Sequence, residues 1–152
     1  MFTITLNIAW ERRGARFSDN RYSRVRTWML DGGATVRASA SPHIVPTPMS
    51  VPSAIDPEEA FVGAITSCHM LWFLSLAAAE GLIVEGYEDR PVGCMEKNSD
   101  DQLAVTRVTL RPTIRFGGTV IPSTATVHRI HDEAHRRCFI ANSVHTRIDV
   151  VT

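Results

Sequence analysis

The segment from Asp56 to Gly81 constrains the fold more than any other part of the chain. Asp56-Pro57-Glu58-Glu59 reads as a helix start. Asp56 can cap the first free amides, Pro57 suits the first helical position, and the two glutamates face the positive end of the helix. The pattern predicts a helix to about Glu80 that stops at Gly81. Its interior, AFVGAITSCHMLWFLSLAAA, is apolar on nearly every face. Such a helix has to be covered all round, by protein or by lipid. Residues 60–79 have about the length of a membrane span. Against a span, Thr66, Ser67, Cys68, His69 and Ser75 interrupt the stretch, no basic cluster flanks it, and Glu80 and Glu85 lie just past its end. The expectation is a buried helix and no membrane partner. One small sheet cannot cover it alone, so the pattern predicts dimerisation through this helix.

Strand signals surround the helix. Residues 2–10 alternate as a strand does, and 22–30 and 34–40 flank Asp31-Gly32-Gly33, a hairpin signal with glycine available for positive φ. Residues 41–55 hold Pro42, Pro46, Pro48 and Pro52, which make an extended loop. After the helix, strands are expected over 82–89, 92–97 and 103–116, with Asn98–Asp101 as a turn. Ser123 or Thr124 caps a second helix running to about Cys138, and 144–151 closes as a strand. The order β-β-β-α-β-β-β-α-β, mostly hairpin-linked, predicts an α+β fold in a single domain over residues 1–152.

Charge narrows the function. Sixteen basic and sixteen acidic residues cancel, which removes a whole-protein electrostatic case for nucleic acid or anionic lipid. Lys97 is the lone lysine among the basic residues, a bias of little functional weight. Cys68, Cys94 and Cys138 are too few and too far apart for a secreted disulfide scaffold. The N-terminus lacks the pattern of a signal peptide, so a cytoplasmic setting is expected. There a working disulfide is usually transient and catalytic. Taken alone, Cys68 amid apolar neighbours reads as a small core hydrophobe.

Two segments change that weighting. DPEEAFVGAITSCHMLWFLSLAA resembles the central helix of the OsmC/organic-hydroperoxide-resistance (Ohr) family, in which a reactive cysteine stands ten positions after the glutamate of a Pro-Glu pair. Pro57-Glu58 and Cys68 match that spacing. AHRRCFIANSV resembles the family's late segment, with Ala134, His135, Cys138, Asn142 and Ser143 in place. The two segments are closer still to an OsmC-like branch, and the likeness runs from about Arg21 onward. The resemblance implies antiparallel sheets wrapped around a long central helix in an intertwined homodimer with sites at the interface. It implies a thiol peroxidase without a cofactor or bound metal. Cys68 would be the attacking thiolate, Cys138 the resolving thiol, Glu58 the carboxylate that orients an arginine, and Arg24 that arginine, with Arg21 and Arg26 as neighbours. The substrate would be an organic hydroperoxide and the reductant a dithiol, such as a lipoylated protein. An arginine beside a cysteine lowers its pKa, and an apolar pocket, with Leu71, Trp72 and Phe73 as candidate walls, favours organic peroxides.

Some positions depart from the family. Phe139 stands where proline often follows the resolving cysteine, and His69 stands where phenylalanine is common. His69 either modulates the thiolate or fills space. Cys94 matches nothing in the family and reads as structural. Glu58 and Cys68 are ten residues apart, roughly 15 Å along a straight helix. Either the helix breaks early or Glu58 serves the Cys68 of a second chain. Two other readings compete with the peroxidase: a non-catalytic small-molecule binder or redox sensor on the same fold, and a metal site. For the latter, His131, His135 and Cys138 fall at i, i+4 and i+7 on the second helix, near His128. No nucleophile–histidine–aspartate spacing and no phosphate-cradling glycine loop is present.

Overall fold

The computed structural model describes residues 1–152. Its contacts divide the chain into two units, Met1–Ala60 and Phe61–Thr152.

In the first unit, β1 (Leu6–Ala9), β2 (Arg26–Leu30) and β3 (Thr35–Ala38) form an antiparallel sheet in that order. The β2–β3 turn closes where Leu30 and Ala34 pair, and Gly33 takes φ +87°, the positive value the hairpin signal required. The proline-rich loop stays irregular but is pinned back on β3. Ser39 N donates to Ile55 O, Ile55 N to Arg37 O, and Val51 N to Ser39 Oγ.

The long helix, α1 (Pro57–Ala79), begins as expected. Asp56 Oδ1 accepts from Glu59 N at 2.8 Å, and Glu59 Oε2 accepts from Asp56 N at 3.1 Å. This reciprocal box satisfies two amides that would otherwise lack partners. The far end closes at Gly81, φ +73°, with Leu82 N bonded to Ala77 O and Gly81 N to Ala78 O. The helix is unbroken throughout, so an early break does not bring Glu58 to Cys68.

In the second unit, β4 (Ile83–Asp89) pairs with β7 (Pro112–Gly117) as a two-stranded sheet. A second sheet holds β5 (Val92–Lys97), β6 (Leu103–Leu110) and β8 (Arg147–Val150). The stretch 103–116, expected as one strand, is two strands in different sheets, divided at Arg111. Arg111 N donates to Asp89 Oδ1 at 2.7 Å, which holds the switch. β8 runs parallel to β6, the one parallel pairing between strands in an otherwise antiparallel set. Helix α2 (Thr124–Arg137) is capped by Ser123, whose Oγ accepts from Thr126 N.

Within this unit α1 buries a single stripe, Ile65, His69, Phe73 and Ala77. The four-residue spacing is one helix face. Phe73 and Ala77 meet Ile130 and Ala134 of α2, together with Leu82. Ile65 packs with Val108 and Leu110 of β6. Phe61, Val62, Trp72 and Leu76 are partly buried against the same cores, whereas Leu71 on the opposite face is 62% exposed.

Candidate active site: a thiol pair between two helices

Cys68 stands one residue off the buried stripe of α1, which leaves it half-buried. Cys138 is buried, 1% exposed, at the residue where α2 ends and the backbone turns extended. A one-turn 3-10 helix, Ala141–Ser143, follows and locks that end. Ala141 N donates to Cys138 Sγ at 3.4 Å, Asn142 N to Cys138 O at 3.0 Å, and Asn142 Nδ2 to Arg136 O at 3.0 Å. The Ala-Asn-Ser run after the cysteine thus supplies donors to carbonyls that the helix end leaves free.

The fold brings the two sulfurs together. The Cys68 thiol is a close neighbour of the Cys138 thiol, and both are free. Burial first, and then the neighbouring Cys68 thiol, push the Cys138 thiol up to about 11. Cys138 therefore keeps its proton in neutral solution, and Cys68 is the more exposed member of the pair.

Trp72, one turn beyond Cys68, meets Phe139, the residue after Cys138, edge to face at 5.5 Å between ring centres. The Arg137 guanidinium lies 5.6 Å from the Trp72 ring centre and pairs with Glu133. Of the three expected pocket residues, Trp72 alone borders this place. Leu71 points to solvent, and Phe73 is core, 4.4 Å from the His131 ring. Sequence reasoning missed Arg137 and marked Phe139 only as a departure from the family, because only the fold reveals that Trp72 reaches across to α2.

His69 is buried and hydrogen-bonded to His131 of α2, 2.9 Å from Nε2 to Nδ1. Burial drives both imidazoles down to about 4. His135 lowers His69 further, and His69 and His128 lower His131, while Asp89 acts weakly in the opposite sense on both. The i, i+4, i+7 row on α2 therefore does not work as a ligand set: His131 is committed to His69, and no three His, Cys, Asp or Glu side chains converge as metal ligands. Cys94 lies away from the pair on β5, where Arg107 Nη2 approaches its sulfur at 3.5 Å.

Glu58 and Arg24 belong to the first unit. Glu58 is half-buried, and its Oε2 is buried without a hydrogen-bond partner. Arg24 is engaged in its own loop. It donates to Tyr22 O and to both oxygens of Asn20, and its guanidinium lies 3.7 Å from the Tyr22 ring centre. Arg26 donates to Arg24 O, and Arg21 is exposed. None of the three forms an ion pair with Glu58.

The model of the family of OsmC-like proteins matches residues 50–152. This chain belongs to the OsmC-like family. An OsmC-like protein of unknown function from Vibrio cholerae shares 48% identity and superposes with a TM-score of 0.98, covering 99% of each chain. An organic hydroperoxide resistance protein from Legionella pneumophila shares the fold at 14% identity, TM-score 0.68, over 99% of this chain and 94% of its own. OhrB, the organic hydroperoxide resistance protein of Bacillus subtilis, does so at 15% identity, TM-score 0.65, over 98% and 95%. No curated protein matches the chain. The OsmC-like match spans α1, α2 and both thiols of the pair.

Proposed function

We propose that this OsmC-like chain is a thiol-dependent peroxidase that reduces organic hydroperoxides. One observation carries the reading: a half-exposed thiol on α1 stands beside a buried thiol that keeps its proton. In the first step the Cys68 thiolate attacks the terminal oxygen of the hydroperoxide. The O–O bond breaks, the alkoxide takes a proton and leaves as an alcohol, and Cys68 becomes a sulfenic acid. The Cys138 sulfur then attacks Cys68 as its proton leaves with the hydroxyl, giving a Cys68–Cys138 disulfide and water. A dithiol, such as a lipoylated protein, returns both thiols by exchange. The apolar edge of Trp72 and Phe139 favours an organic over an inorganic peroxide. A cytoplasmic setting, where such dithiols are kept reduced, goes with this cycle.

The unpartnered oxygen of Glu58 supports its role as an orienting carboxylate. Along an unbroken helix Glu58 stands roughly 15 Å from Cys68 of its own chain. In our reading Glu58, with Arg24 released from its loop, serves Cys68 of a second copy in a homodimer. The exposed face of α1 around Leu71 suits that assembly.

The test is to titrate reduced protein with cumene hydroperoxide and with hydrogen peroxide, following thiols by mass spectrometry with and without dihydrolipoamide. A Cys68–Cys138 disulfide that forms faster with the organic peroxide and is recycled by the dithiol is expected. Oxidation of Cys68 no faster than a free thiol sinks the reading. A single oxidation without recycling points to a sensor instead.

A further inference from the structure

His69 and His131 make a directional contact between the two helices that carry the thiols. Their rings are nearly parallel, 7° apart, with centres 5.2 Å apart. They are 1% and 3% exposed. The outer nitrogens, His69 Nδ1 and His131 Nε2, are buried without partners. Two apolar rings of this size would fill the space without stranding polar atoms, and stranded polar atoms are costly. What the imidazoles add is direction, because a hydrogen bond allows one distance and one orientation where apolar contact allows sliding. His69 directly follows Cys68, and His131 precedes Cys138 by two turns on the buried side of α2.

We propose that the His69–His131 hydrogen bond is a positioning device for the thiol pair: it holds α1 and α2 in the register at which Cys138 reaches Cys68, and so sets how favourable their disulfide is. The proposal rests on the reading of Cys68 and Cys138 as a redox pair. His69 and His131 are positioning residues that touch no substrate. The groups that act on the pair are His135 and Asp89 at His69, and His128, Asp132 and Asp89 at His131. In neutral solution both rings are uncharged, so the inner bond holds one proton. If His69 donates, both rings carry their proton on Nε2. If His131 donates, both carry it on Nδ1. The bond therefore forces like tautomers on the two rings.

The experiment equilibrates the full chain in glutathione redox buffers at pH 7 and measures the Cys68–Cys138 disulfide by mass spectrometry. Two protein thiols pass two electrons and two protons to one oxidised glutathione, leaving the protein disulfide and two glutathione thiols. His69→Phe is expected to lower the equilibrium constant about tenfold, the scale of losing one buried hydrogen bond. His69→Gln, whose terminal amide can still donate to His131 Nδ1, is expected to stay within about threefold of the parent. An unchanged constant in the Phe variant overturns the proposal, as does an equal loss in both variants. Should His69→Phe fail to fold, His131→Phe asks the same question from α2. Imidazole nitrogen NMR of the unsubstituted protein asks it without a variant, and unlike tautomers overturn it. No peroxide enters this equilibrium. The proposal can thus fail while the peroxidase reading stands, whereas a parent protein that forms no Cys68–Cys138 disulfide removes both.

Discussion

The two helices carry one thiol each and are opposite in chemistry. α1 is apolar on most faces and yet leaves Cys68 half-exposed. α2 is polar, rich in His and Arg, and yet buries Cys138. A cysteine's environment is therefore set by its place relative to the packed stripe, not by the composition of its helix. On α1 the stripe passes through His69, one residue beyond Cys68. On α2 it passes through Ile130 and Ala134 and ends on Cys138, four residues beyond Ala134. The outcome is an asymmetric pair, one thiol half-exposed and one buried.

The largest effect expected from breaking that asymmetry is in the chemistry. Cys68→Ser should reduce peroxide consumption to the rate of an ordinary free thiol, read by loss of cumene hydroperoxide. Cys138→Ser should leave the first oxidation intact but stop at the sulfenic acid, trapped by a dimedone adduct on Cys68. If Cys138→Ser instead abolishes the first oxidation, the buried thiol is the attacking one and the comparison is inverted.

Next in size is the contrast between the two faces of α1. Phe73 is fully buried against Ile130 and Ala134, so Phe73→Ala should destabilise by about 3–5 kcal/mol in urea unfolding. Leu71, 62% exposed, should behave differently. Leu71→Glu should weaken self-association in light scattering, with little effect on how the single chain packs. Equal losses of stability would mean that both faces are covered by the chain itself.

These contrasts also mark how far the amino-acid sequence could be read. Start and stop signals at Asp56-Pro57 and Gly81 are local chemistry, and the capping box and the helix end fall where they predict. The split of 103–116 at Arg111 was hidden, because a change of sheet depends on Asp89, 22 residues away. The thiol pair became visible only through resemblance, since 70 residues separate Cys68 from Cys138 and no periodicity links them. His131 misled for a related reason. Helical spacing aligns it with His135 and Cys138, while its partner sits on the other helix.

A smaller effect tests the buried histidines through acid. Both titrate near 4 in the fold and near 6.5 when unfolded. Between those values the unfolded chain binds more protons, so stability is complete above about pH 6.5 and falls as pH drops towards about 4. Urea midpoints measured from pH 8 to pH 4 should stay flat at first and then decline. In His69→Phe the decline should be shallower, because one fewer imidazole takes up a proton on unfolding. An equally steep decline in that variant assigns acid sensitivity to other groups.

The smallest expected effect separates the two helix starts. Asp56 is 8% exposed and sits in a reciprocal box with Glu59, whereas Ser123 is exposed and makes a one-way cap to Thr126 N. Removing a cap costs about 0.5–2 kcal/mol, and more where water cannot replace the lost acceptor. Asp56→Ala should therefore fall near the top of that range and Ser123→Ala near the bottom. Asp56→Asn, which keeps the acceptor oxygen but not the charge, should recover most of the loss. If Asn recovers nothing, the carboxylate acts through its charge at the positive end of α1 rather than through the bond to Glu59 N. The start of α1 would then be held electrostatically, and raising the salt concentration should weaken it in the parent protein as well.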